Sequence, residues 1–546
     1  MKDWFVRLMI VALLAVVLSA PFWAQSFVAD TGPDPGGSPA TAPGAAQRLV
    51  VITPHNDQIR WEFATAFRRW RARAGEPDVV FEWRTGGGTS DLRKQVFSQF
   101  TKKANDGRED EGIGVDLFFG GGPFEHNALA RGIGVARGGQ SMQIPLSAPI
   151  DIPQDERSAI YPQATIGGEH LYHQHEQRLY WVGTALSSFG IVWNNDVLAV
   201  LGLRAPGAWQ DLCDSRYFGW IALADPAHSG SVAAAYHAVL QRKGWDDGWR
   251  VLRRVFANAR YFSSSASQIP LDVSAGQAAA GMCIDFYGRY QAQTVPRGRV
   301  GYADPRVAAP GGVAALETAV TADPISILRG APHQALAVTF VRWVLSADAQ
   351  RLWQRAVGAP GGPVRFELRR MPVRRDMYDE NEMRQWSDQV NPFELARPLP
   401  DGTPNFYRVL APVAHALAID VHEELKAAWS AIANRPRHPR RDEMKVLFDA
   451  MPDGLDAHGE SLSLKVLWPP GMDASDTSII LSDPESPHHE AAMLALQSFA
   501  ANLKNRYTRP QSDRGWNDRE KLLRHRVEWT RVFRGNYRKI VEVMNF

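Results

Sequence analysis

Small and polar residues gather wherever an apolar strand of this chain gives way to a helix. Arg84-Thr85-Gly86-Gly87-Gly88-Thr89-Ser90 follows Asp78-Val79-Val80-Phe81-Glu82-Trp83, which reads as a buried strand, and precedes a helical repeat of Leu92, Val96 and Phe100. Thr53-Pro54-His55-Asn56 and Gly120-Gly121-Gly122-Pro123 hold the same place after two other strands. Glycine admits φ > 0 and lets the backbone approach a ligand closely. Thr, Ser and Asn cap helices, and the amides that open a helix carry a partial positive charge. The chemistry this pattern supports is the capture of a small anion at the carboxyl edge of a sheet. Thr53, His55, Asn56, Arg84, Gly87, Gly88, Thr89, Ser90, Gly121 and Gly122 are therefore candidate ligand-binding residues. The bland alternative is a set of βα turns that cap their helices and bind nothing.

Further on, Ser229-Gly230-Ser231 opens a helix whose apolar face is Val232, Tyr236, Val239 and Leu240. Two helix starts of this kind, facing each other across a cleft, would hold a negative group between them. Ser187-Ser188-Phe189-Gly190 sits between two strand-like runs within Tyr180 to Asn194. These stretches add Ser187, Ser188, Ser229, Gly230 and Ser231 to the candidates. No GxSxG elbow or HExxH motif occurs, and Ser187-Ser188 has no base at a useful spacing, so no catalytic residue is assigned. Glu169-His170-Leu171-Tyr172-His173-Gln174-His175-Glu176 crowds three histidines together. Its alternation reads as a hairpin or exposed loop, no Cys or Asp completes a ligand set, and neither a metal nor a cofactor is expected. Cys213 and Cys283 form no CxxC pair. A single bridge between them stays open in an oxidising compartment.

The elements that position these residues alternate. Leu49-Val50-Val51-Ile52 is a short apolar strand, and Ile59, Phe63, Phe67 and Trp70 mark the buried stripe of the helix after it, capped by Asn56 or Asp57. Val115-Asp116-Leu117-Phe118-Phe119 is the third strand of this series. Strands alternating with helices predict an α/β architecture with a parallel, doubly wound sheet. With 546 residues the chain is too long for one core. A net charge of +2 lacks the strong basic bias of a nucleic-acid binder. Lys2 and Arg7 precede the apolar run Leu8 to Ala20, so residues 1–28 read as a signal peptide or an uncleaved membrane anchor. Residues 29–47 are a flexible Pro/Gly/Ala-rich linker, and the bulk of the chain is expected on the periplasmic or extracytoplasmic side.

The order of motifs resembles bacterial extracellular solute-binding proteins of ABC importers, in the iron(III)-binding-like branch. Thr53-Pro54-His55-Asn56, Trp209-Gln210-Asp211-Leu212, Ile221 to Pro226 with Ser229-Gly230-Ser231, and Asp285-Phe286-Tyr287 carry the likeness. Ala331-Pro332-His333-Gln334-Ala335, Met371 to Arg375 and His422-Glu423-Glu424-Leu425 continue it. The resemblance implies a type II periplasmic-binding-protein fold of two lobes, a hinge and a cleft. On that basis residues 48–185 and 299–375 would form lobe one, and 186–298 lobe two. It implies a small-molecule ligand, an ABC permease and an ATPase as partners, and a monomer. Iron-binding members hold metal with neighbouring tyrosines; here Phe286-Tyr287 offers one, and Tyr290 comes three residues on. An anionic ligand, phosphorylated or carboxylated, is expected over iron(III), with Asp285 and Tyr287 joining the candidates. A membrane-anchored sensing or scaffold module is the other reading. Residues 376–455 read as a helical continuation packed on the lobes. Residues 456–546 are an extension without an assigned role, expected to dock as helices on lobe one.

Overall fold

Leu49, Val50, Val51 and Ile52 are all buried, as a strand covered on both faces requires. They belong to strand β1 (Gln47–Ile52) of the computed structural model, which describes residues 46–108, 110–137, 140–296, 298–308, 314–399, 403–452 and 519–545. Helix α1 (Asp57–Arg73) follows, with Asn56 accepting from the Ile59 amide at 3.1 Å. Then come β2 (Val79–Arg84), α2 (Thr89–Asn105), β3 (Leu117–Phe119) and α3 (Pro123–Arg131). Both β2 and β3 pair in parallel with β1. Strand β2 is an edge rather than a buried strand: it ends the sheet and leaves Val80 exposed.

The histidine-rich stretch is a hairpin limb, β4 (Tyr172–His175), pairing with β5 (Arg178–Asn194). The two strand-like runs around Ser187–Gly190 are one strand. Strand β5 runs for 17 residues without interruption because its ladder changes partner instead of ending. The second lobe comprises β6 (Ile221–Ala224), α4 (Gly230–Lys243), α5 (Trp245–Ala257), β7 (Ala259–Ser263), β8 (Ala280–Ile284), α6 (Asp285–Thr294) and β9 (Val300–Ala303). Strand β10 (Val320–Leu328) then returns to β3 and pairs with it antiparallel, followed by α7 (Gln334–Val344) and α8 (Ala347–Gln354). Strand β5 lies antiparallel to β10 over Val182–Ser188 and antiparallel to β8 over Phe189–Trp193. The strand path is therefore β7-β6-β8-β5-β10-β3-β1-β2, parallel in each wing and antiparallel at the crossing. Strand β9 still pairs with the far half of β5, so the chain re-enters the first lobe only at β10, later than residue 299.

Apolar packing divides in the same way. Phe63, Phe67, Trp181, Phe340 and Trp353 fill one face of the first sheet, and Val50, Leu92, Val96 and Phe118 fill the other. Trp209, Tyr236, Trp249 and Phe256 centre the second core. That core continues into α9 (Tyr407–Leu417), α10 (His422–Asn434), α11 (Arg441–Asp449) and the 27-residue α12 (Arg519–Asn545). The C-terminal helices thus dock on lobe two, not lobe one. Phe533 and Tyr537 complete its apolar interior, and buried Arg253 of α5 donates to the Phe448 carbonyl beneath the Phe533 ring. Cys213 and Cys283 are free thiols. The N-terminal apolar run and most of the linker lie outside the described residues, as do residues 456–518 of the C-terminal extension. Among the described residues no helix is long and apolar enough to cross a membrane.

Because α12 shares the lobe-two core, Phe533→Ala should cost about 3–5 kcal/mol and lower the main thermal transition seen by calorimetry. A separate early transition with the main one unmoved would contradict a shared core.

Candidate functional site

Side chains alternate faces along a strand, so Ser187 and Ser188 of β5 point to opposite sides. Ser188 donates to Asp304 at 2.6 Å, and Asp304 also receives Arg289 at 2.9 Å. Ser187 turns the other way, into the cleft between the lobes, and accepts from Arg370 Nη2 at 2.6 Å. Arg370 Nη1 lies 2.7 Å from Asp323 Oδ2 on β10, and His55 Nε2 lies 2.8 Å from the same oxygen. The other carboxylate oxygen accepts from the Gly121 amide at 2.7 Å. Thr53 braces His55 by accepting from its amide at 3.1 Å. The Arg370–Asp323 pair is nearly sealed from water, with side-chain exposures of 3% and 2%.

The electrostatics follow from this geometry. Burial would raise the Asp323 pKa, but Arg370 and His55 outweigh it and hold the carboxyl below its usual range. Burial lowers the His55 pKa against the opposing pull of Asp323, so its ring favours the neutral form. Arg370 stands over the Phe286 ring at 4.5 Å. Its Nε and His55 Nδ1 are buried without hydrogen-bond partners among the described residues. Gly120 and Gly121 make the close packing feasible. Both have φ near +100° (+97° and +110°), and a Cβ would run into the His55 ring at one and Thr89 at the other.

The cleft has a volume of about 950 Å³, at the upper end of roughly 300–1,000 Å³ for small-molecule pockets. Of the sequence candidates, His55, Thr89, Gly121, Gly122, Ser187, Gly230, Ser231 and Tyr287 line it. The others stand behind or beside it. Asn56 and Ser229 cap α1 and α4, and Gly88 is the residue that starts α2. Arg84 pairs with Glu82 at 2.9 Å, and Gly87 packs on Asp91. Ser90 is buried in the first turn of α2, Ser188 is bound to Asp304, and Asp285 is fully buried.

The expected pair of facing helix starts exists, and direct contacts join them at one side of the cleft. A Cβ on Gly88 would overlap the His228 carbonyl, Lys94 donates to the Ala227 carbonyl at 3.2 Å, and Asp91 lies 3.3 Å from His228. The buried Glu125 side chain from the first turn of α3 reaches the α4 start, with Oε1 3.4 Å from where a Gly230 Cβ would stand. The protein's own carboxyl group thus stands beside the α4 start. Sequence reading missed Asp323 and Arg370, which no local motif marks. It also missed Asn405, Tyr407 and Arg408, brought to the cleft by α9 and the turn before it. Tyr407 stacks on Phe124 at 4.2 Å and donates to the Gly230 carbonyl at 3.1 Å, tying both lobes to the C-terminal helices.

Residues 163–389 match the family model described as bacterial extracellular solute-binding protein. The segment contains β5, β10 and Arg370. Together with the two-lobed topology, the match bears out the resemblance and the type II periplasmic-binding-protein fold. The Phosphoglycerate transport regulatory protein PgtC of Salmonella typhimurium is 28% identical over 171 residues, or 31% of this chain. The chain spans 40% of that relative's length. Similar solved structures include the periplasmic binding protein AfuA from Actinobacillus pleuropneumoniae with fructose-6-phosphate bound. It is 17% identical, covers 70% of this chain and 98% of its own, and has a TM-score of 0.47. Iron-bound HitA from Pseudomonas aeruginosa is 18% identical, covers 65% and 92%, and has a TM-score of 0.44.

Asp285 is the candidate whose buried position has the clearest consequence. Among the described residues neither carboxylate oxygen has a hydrogen-bond partner, and Arg289 Nε is 4.0 Å away. Burial raises its pKa to about 7, with Arg289 opposing and Asp304 adding to the rise. The folded state therefore holds this proton more tightly than the unfolded chain, and stability falls as pH rises from about 4 through about 7. Asp285→Asn should stabilise the protein above pH 7.5, by an amount on the order of 4 kcal/mol at most. The gain should vanish near pH 4, as read by denaturant unfolding. A variant less stable than the parent at pH 8 would contradict a carboxyl group whose burial outweighs its pairing with Arg289.

Proposed function

We propose that this chain, with its extracellular solute-binding segment, is an extracytoplasmic receptor that captures a small anion in the interlobe cleft. The observation that carries the reading is Arg370 at the cleft floor, fixed by Asp323 and Ser187 yet keeping a buried Nε–H without an acceptor. An orphan donor on a guanidinium calls for an anionic oxygen, and charge-assisted hydrogen bonds are the stronger kind. Ser187 and the His55 Nδ1 edge supply further polar contacts, while Phe286, Tyr287 and Trp181 give apolar walls. Glu125 already stands beside the α4 start, which favours this floor as the seat of the ligand's anion.

The ligand class favoured is a phosphorylated or carboxylated small molecule; the name of the Salmonella relative supports it. Iron(III) is the weaker alternative, because a bare trivalent cation would enter a cleft lined by Arg131, Arg370 and Arg408. Closure would turn on β5, where the ladder passes from one lobe to the other, and the closed face would dock on an ABC permease served by an ATPase. The chain is read as a binding protein rather than an enzyme. The word "regulatory" in the relative's name favours a second reading, in which the same cleft serves ligand sensing at the membrane. Crosslinking in the native envelope separates the two by the partner captured, a permease or a signalling protein.

Titration calorimetry of the full chain against phosphate esters, small carboxylates and iron(III) tests the reading. At least one anion should bind and raise the Tm. Ser187→Ala should weaken it by about tenfold or more, the worth of a hydrogen bond in a charge-assisted set. Stabilisation by iron alone, or by none of the anions, would overturn it.

A further inference from the structure

Lobe one, lobe two and the C-terminal helices meet at one side of the cleft, at Tyr407 of α9. Its ring stacks on Phe124 of α3, with centroids 4.2 Å apart and planes inclined by 27°. Its hydroxyl donates at 3.1 Å to the carbonyl of Gly230, the residue that opens α4. The residue before it is fastened to the same helix, because the Phe406 amide donates to His237 Nε2 at 3.1 Å. Phe406, Val409, Leu410 and Val413 are then buried in the lobe-two core. Hydroxyl, backbone and core thus hold Tyr407 to lobe two, while its ring faces lobe one. Phe124 is steadied from its own lobe by the Arg93 guanidinium of α2, 5.7 Å from the ring centre. Both rings line the cleft.

The lobes come close at this point. A Cβ on Gly230 would stand 3.3 Å from that of Thr89, so lobe one comes down on the turn that Tyr407 grips. Nearby, Lys94 reaches the Ala227 carbonyl and Asp91 reaches His228. These side chains are open to solvent, Lys94 at 54% and His228 at 46%, and exposed polar pairs contribute little against water. A stacked aromatic pair buries more apolar surface and favours a narrow range of separations. Of the contacts on this side, the stack is the one able to fix the spacing of the lobes. Both of its members lie outside residues 163–389, the segment that matches the solute-binding family.

We propose that Tyr407 is a positioning residue for ligand capture: stacked on Phe124, it holds the lobes at their closed spacing and makes the C-terminal helices the clasp of the cleft. The proposal rests on the two-lobed receptor reading and is indifferent to the ligand's charge. Opening the cleft on this side parts the two rings, and a ligand small enough to sit behind them lets the stack re-form.

Double electron–electron resonance on the full chain tests this with no ligand added. Spin labels at V80C in lobe one and V200C in lobe two, two exposed positions that do not line the cleft, report the lobe spacing in a C213S background. The parent should give mainly one short distance. Phe124→Ala and Tyr407→Ala should each lower the ratio of short to long distances by about two- to tenfold, the range an aromatic pair supplies. The double variant should do no more than either single one, because both remove the same contact. Tyr407→Phe keeps the ring and should keep the parent's distribution. Phe124 lies on lobe one, outside the core that α9 shares, so its variant reads the clasp without loosening the C-terminal helices. An unchanged distribution in Phe124→Ala, additive opening in the double variant, or Tyr407→Phe as open as Tyr407→Ala would overturn the clasp. Failure of every anion to bind the parent would count against the anion reading of the floor and leave these distances as predicted, so the two fail separately.

Discussion

A buried ion pair sets the terms for the rest of this molecule. Taking Arg370 and Asp323 out of water costs several kcal/mol per ion unless each is paired and hydrogen-bonded. Asp323 meets that demand with Arg370, His55 and the Gly121 amide, which draw together four separate stretches of chain. Arg370 meets it only in part, because its Nε remains without an acceptor. The pair therefore fixes the geometry of the floor and leaves one donor without an acceptor among the described residues.

Strand β5 translates that local constraint into architecture. Its continuous ladder joins β10 in one lobe to β8 in the other, and its two adjacent serines serve opposite sides of the crossing. One is tied to the cleft floor and the other to Asp304 with Arg289 and Tyr302. A rotation about the crossing must strain or remake both sets of bonds, so the polar pairs on either side bias its resting angle. The C-terminal helices add a third body. They share the lobe-two core, yet reach lobe one through the Phe124–Tyr407 stack, so closure brings more than two surfaces together.

Local pattern was enough to read the strand–turn–helix series, because each unit declares itself within a short window. Asn56 and Ser229 cap helices as their residue types suggest, and Leu336, Phe340, Trp343 and Val344 face inward as their spacing requires. The floor was not legible in the same way. Asp323 lies within the return strand and Arg370 just before a two-residue one, and each has meaning only through a partner far along the chain. The two strand-like runs on either side of Ser187–Gly190 are one strand because two ladders claim the backbone between them. Glu125 was overlooked because a glutamate in a first helical turn looks like an ordinary dipole partner. Its burial between two helix starts is a tertiary fact. The docking of α12 on lobe two follows from core shape, which periodicity does not encode.

A crystal structure with a bound anion measures the central claim most directly. The account predicts an anionic oxygen within hydrogen-bond distance of Arg370 Nε and near Ser187, with Asp323 still paired and Glu125 still between the α2 and α4 starts. An anion seated at Thr89 and Ser231 instead, with Glu125 swung out and Arg370 untouched, would contradict it.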